Sequence, residues 1–70
     1  MRIDRVKLIA EMARAEISCE KLAREMGVSR ATVGAIRGGK SCREDTAEKM
    51  AAALGVPLGE LLERRGNVHG

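Results

Sequence analysis

The residue that most constrains this chain is Gly27, which divides two segments that each repeat their apolar positions at helical spacing. Leu22, Ala23 and Met26 precede it, and Val33 and Ile36 follow it, at the intervals where one face of an α-helix recurs. Glycine enters a left-handed backbone conformation without steric cost, so a helix can end at Gly27 and the chain can turn sharply into the next. Two short helices crossing at a steep angle need a small residue where they touch, and Ala23 stands four positions before the turn. Ser18 and Ser29 occupy the places where N-caps belong, their hydroxyls available to the unpaired N–H groups of the two helix starts.

The same spacing extends in both directions and strand alternation is absent, which predicts an all-α fold. A first helix is expected from about Asp4 to Ala15, with Leu8, Ile9, Met12 and Ala13 inward and Arg5, Lys7, Glu11 and Arg14 largely outward. Ile17 packs in the following turn. The second helix runs from Ser18 to about Met26, with Glu20 favoured by the dipole of its first turn. Val28 plugs the turn at Gly27. The third helix, Arg30 to about Arg37, ends at Gly38 and Gly39. A fourth, from about Arg43 to Leu54, turns Ala47, Met50, Ala51 and Leu54 inward and stops at Gly55. Pro57 suits the first turn of a short fifth helix carrying Leu58, Leu61 and Leu62. Residues 1–63 therefore read as one domain and residues 64–70 as a flexible tail. With no Phe, Tyr or Trp in 70 residues, the core must be aliphatic, and an aromatic platform for stacking bases is excluded.

Charge is distributed unevenly. Thirteen Lys and Arg against ten Asp and Glu leave a net charge of +3. Between Ser29 and Arg43 the charged residues are Arg30, Arg37, Lys40 and Arg43 with no acid among them, so that window carries +4. From Glu44 to Glu63 five acids (Glu44, Asp45, Glu48, Glu60, Glu63) face one Lys49, a net −4. A one-signed basic block on one element is the footprint of an anionic partner. No apolar run approaches the roughly 20 residues of a membrane span, and the N-terminus lacks the pattern of a signal peptide, so a cytoplasmic protein is expected. Cys19 and Cys42 lack the close pairing of a zinc site and read as free thiols. His69, alone near the C-terminus, reads as solvated.

The segment from Glu20 to Lys40 resembles the helix-turn-helix of the phage Cro and lambda-type repressor family, often called XRE-like. The resemblance is carried by Ser18, Glu20, Leu22, Ala23, Gly27, Val28, Ser29, Arg30, Thr32, Val33, Ile36, Gly39 and Lys40, and continues into "AALGVPLGELL", Ala52 to Leu62. It covers Leu8 to Leu62 and implies a compact five-helix, lambda-repressor-like DNA-binding domain, with the helix-turn-helix at residues 18–37. The third helix would enter the major groove of double-stranded DNA while the second lies across the backbone.

On that arrangement Arg30, Ala31, Gly34 and Ala35 face base edges. Arg30 is the one long donor among small neighbours, able to fork onto guanine O6 and N7. Ser29, Thr32, Arg37, Lys40 and Arg43 are placed for phosphates, as are Ser18 and Cys19 at the start of the second helix. Gly38 stands where the family favours Asn, and backbone donors at Gly38 and Gly39 would replace that side chain.

The resemblance implies a sequence-specific transcriptional regulator, of the small phage- or mobile-element-type repressor kind, acting as a homodimer on a palindromic operator. The dimer would use the fourth and fifth helices. No cofactor, metal or small-molecule ligand is expected. The chain lacks carboxylates clustered around a nucleophile and a phosphate-cradling glycine motif, so an enzyme is not expected. The alternative is an antitoxin or partner-docking module using the same fold mainly for protein binding, which an exposed leucine stripe and the acidic stretch from Glu44 to Glu63 would serve.

Overall fold

A computed structural model describes residues 1–63; residues 64–70, expected as a tail, lie outside the described residues. Four α-helices follow one another: α1 (Arg5–Ala15), α2 (Cys19–Met26), α3 (Arg30–Arg37) and α4 (Glu44–Leu54). The expected fifth helix is a single 3-10 turn, Leu58–Glu60. Its bonds run from Glu60 N–H to the Pro57 carbonyl and from Leu61 N–H to that of Leu58. The chain cannot continue as an α-helix there, because the next residues leave to meet the N-terminus. The Asp4 N–H donates to the Leu61 carbonyl at 2.7 Å, and Ile3 forms an isolated antiparallel bridge with Leu62.

The helix ends follow from local chemistry. Asp4 caps α1, its Oδ1 accepting from the N–H groups of Val6 and Lys7 at 2.9 and 3.1 Å. Ser18 Oγ accepts from Lys21 N–H at 3.1 Å, and Ser29 Oγ from Thr32 N–H at 3.2 Å. Gly27 ends α2 at φ 74° and Gly55 ends α4 at φ 73°, the left-handed region in which a Cβ is strained. Glu16 ends α1 at φ 53°, a conformation that a non-glycine residue holds at a cost of about 1 kcal/mol. The return of that cost is closure of the helix, since Glu16 N–H reaches Ala13 O and Ile17 N–H reaches Met12 O.

The core is aliphatic, as composition requires. Leu8, Leu22, Val33, Met50 and Leu61 are fully enclosed, with Met12, Ala23, Met26, Ile36, Ala47, Ala51 and Leu54 around them. Each large aliphatic side chain so enclosed contributes on the order of 1.5–3 kcal/mol. Helix α2 packs on α3 and α4, and α1 closes over α3 and α4.

One expectation about burial is corrected, and one core residue lies outside the sequence pattern. Ile9 and Ala13, placed inward by periodicity, are exposed, because α1 turns only its Leu8–Met12 edge to the core. Ile3, outside any helical pattern, is 2% exposed and belongs to the core, sealed in by the chain ends pairing across it.

Candidate nucleic-acid interface

Helix α3 divides cleanly. Val33 and Ile36 are buried, whereas Arg30, Ala31, Gly34, Ala35 and Arg37 are all exposed and Thr32 is half-buried. One side therefore anchors the helix and the other presents a single long cation at its start, a floor of methyls and glycine, and a second cation at its end. Arg30 and Arg37 form no ion pair among the described residues.

The start of α3 is pre-ordered by its cap. Ser29 Oγ and Thr32 Oγ1 lie 2.9 Å apart; one hydroxyl donates to the other, so one hydroxyl hydrogen of the pair remains free for an outside acceptor. Among the described residues the N–H groups of Arg30 and Ala31 have no partner, nor do those of Cys19 and Glu20 at the start of α2. Both ends carry the partial positive charge of a helix N-terminus. The last turn of α3 reaches the start of α2: Arg37 Nη1 lies 3.8 Å from Cys19 Sγ, within the reach of an N–H donor to sulfur.

Lys40 and Arg43 follow on the loop between α3 and α4, both exposed. With Thr32, Ser41 and Thr46 they border a surface groove of about 270 Å³. Ser41 and Thr46 were not anticipated from sequence, although Thr46 sits three residues after Arg43 on the first turn of α4, the spacing at which side chains share a face. Arg43 is the N-cap of α4 but makes no side-chain capping bond, which leaves its guanidinium free to face outward. The N-terminus pins this loop, since Cys42 N–H donates to the Met1 carbonyl at 2.9 Å. Burial pushes the Cys42 thiol above its ordinary range, against the lowering effect of the nearby N-terminal charge, so it stays neutral at pH 7.

Gly38 departs from expectation. Its N–H donates to Gly34 O at 2.9 Å and Ala35 O at 3.1 Å, and Gly39 N–H donates to Ile36 O at 2.9 Å. Those groups finish α3 and are not open donors for a phosphate. What Gly38 and Gly39 supply is the turn, with Gly39 at φ 107°.

Two short helices joined through the left-handed turn at Gly27, the second with a free basic face and both with open N-termini, define a helix-turn-helix DNA-binding module. The chain belongs to the family of Cro/C1-type helix-turn-helix DNA-binding domains, whose model matches residues 7–66. No curated protein matches the chain. Among solved structures it is similar to a single-substitution mutant of hydroxyethylphosphonate dioxygenase, with TM-score 0.81, 25% identity, and coverage of 93% of this chain and 14% of that one. It is also similar to native PhpD with cadmium, with TM-score 0.78, 23% identity and the same coverages of 93% and 14%. The chain thus spans a small fraction of either protein, and the likeness to the second is one of fold alone. Among the described residues no helix is long and apolar enough to cross a membrane.

Proposed function

We propose that the protein is a sequence-specific double-stranded DNA-binding transcriptional regulator that inserts α3 in the major groove. The observation that carries this reading is the exposed face of α3, where Arg30, Ala31, Gly34 and Ala35 stand outward while Val33 and Ile36 fix the helix from behind. Small side chains let the backbone approach the base edges, and Arg30 supplies the bidentate donor; one such pair discriminates by about 1–3 kcal/mol. Ala31 and Ala35 offer methyls to a thymine methyl.

Phosphates on one side meet Ser29, Thr32 and Arg30's neighbouring N–H groups; on the other they meet Ser18, Cys19 and Arg37, with Lys40 and Arg43 extending the track and Ser41 and Thr46 beside them. The residue that shifts in role is Gly38, which shapes the turn rather than donating to a phosphate. A module this small makes few contacts, so two copies on a palindromic operator, with half-sites about 34 Å apart, supply the affinity that one lacks at physiological salt. Bound there, it acts as a small phage- or mobile-element-type repressor by obstructing polymerase in the cytoplasm.

The protein binds rather than catalyses on this reading. The dioxygenase named among its structural neighbours is a chain of which this fold makes up 14%. The partner-docking alternative drew on an exposed leucine stripe, but Leu61 is buried and Leu58 and Leu62 are half-buried. Selection of bound fragments from random duplex DNA at two salt concentrations tests the proposal. Enrichment of an inverted repeat that persists at the higher salt is expected; recovery of unselected sequence at both would overturn it.

A further inference from the structure

We propose that the outward stripe of α1 is a self-association surface, seating the same helix of a second copy antiparallel across a two-fold axis. The inference rests on the homodimer reading above and assigns it a surface. The fourth helix and the 3-10 turn, where a dimer is expected from sequence, leave no large apolar side chain exposed among the described residues. Exposed large hydrophobics lie instead at Val6, 76% exposed, Ile9, 42%, and Met1.

Ala10 and Ala13, also exposed, follow Val6 at four and seven residues and continue its face of the helix. The stripe has bulk in its first half and methyls in its second. Reversed against itself about a point near Ile9 and Ala10, it sets Val6 against Ala13 of the second copy and Ile9 against Ala10. Large side chains meet small ones at each contact, which lets the helices approach closely.

Charge repeats this self-complementarity. Arg5 borders the shallow groove that Ile9 shares with Gly34, Arg37 and Gly38, and Glu16 borders the groove that Ile9 shares with Met12 and Ile17. Arg5 and Glu16 therefore flank the same edge of the stripe, at opposite ends of the helix. Both are exposed, and neither forms an ion pair among the described residues. An antiparallel partner brings each Arg5 to the Glu16 of the other copy, twice, as an isologous contact requires. With Val6, Ile9, Ala10 and Ala13 flanked by Arg5 and Glu16, the stripe offers far fewer than the roughly 20–30 residues a side of a standard interface. Association is weak in free solution and strengthens when one duplex holds both copies.

The test is sedimentation across a concentration series without DNA, beside fluorescence anisotropy on duplex DNA, with thermal melts showing that each variant folds. Wild type shifts from monomer to dimer mass. Val6→Lys, or Ala10→Glu if the first does not fold, weakens that shift at least roughly tenfold. R5E and E16R each weaken it alone, and their equimolar mixture restores it, because a mixed pair recovers opposite charges at both contacts. Wild type that stays monomeric, or a mixture no stronger than its components, overturns the surface. If that protein still binds duplex DNA, the DNA-binding reading stands without it; a dimer that binds no duplex overturns the DNA-binding reading and leaves the surface in place.

Discussion

Arg37, on the last turn of α3, points its guanidinium at the thiol of Cys19 on the first turn of α2, with Nη1 3.8 Å from Sγ. The contact joins the end of one helix to the start of the other, so a cation stands beside the open N–H groups of α2. Arg37→Ala is expected to weaken binding to every duplex sequence alike and to reduce the slope of log affinity against log salt by about one. Anisotropy titrations at several salt concentrations measure this, and an unchanged slope would remove Arg37 from the interface.

Arg30 predicts the opposite pattern. Its substitution by Ala should relax preference at a single operator position, at about 1–3 kcal/mol, with little effect on binding to unrelated sequence. Competition between operators that differ at one base pair reports it; loss spread evenly over all sequences would make Arg30 a phosphate contact instead.

The turn between α2 and α3 can be examined apart from DNA. A Cβ on Gly27 would meet nothing within 4 Å, so the cost of Gly27→Ala is that of the backbone at φ 74°. About 1–2 kcal/mol is expected, a fall in Tm of roughly 4–16 °C for a domain of this size. A melting curve identical to wild type would contradict the assignment.

Glu16 should respond in the other direction. It holds a left-handed conformation at φ 53°, so Glu16→Gly relieves strain of about 1 kcal/mol, offset in part by the greater freedom of glycine in the unfolded chain. A net gain of roughly a few tenths of a kcal/mol in chemical denaturation is expected. Destabilisation would mean that its side chain contributes more than its backbone costs.

Ile3 and Val6 form a matched pair. One is 2% exposed and the other 76%. Ile3→Ala is expected to cost about 2–4 kcal/mol and Val6→Ala less than about 0.5 kcal/mol, both read as changes in denaturation midpoint. Equal costs would remove the N-terminal segment from the core.

By itself the sequence determined the helices, since their signals are local: Ser18 and Ser29 cap, Gly27 and Gly55 turn left-handed, and Leu22, Ala23, Met26, Val33 and Ile36 repeat at helical spacing. The outward set on α3 was legible for the same reason, because knowing which residues face in leaves Arg30, Ala31, Gly34 and Ala35 facing out. Only the tertiary structure decided what covers each face. Periodicity groups Ile9 and Ala13 with Leu8 and Met12, but α1 meets its neighbours along one edge and leaves the other two bare. Ile3 and Leu61 join the core because Ile3 bridges Leu62, 59 positions further along the chain, a contact with no local signature. The N–H groups of Gly38 and Gly39 were spent closing α3, and Cys19 met Arg37 only once the two helices had crossed. Short-range backbone chemistry sets where helices begin and end, while the free energy of burial, summed over the whole chain, selects which surfaces meet.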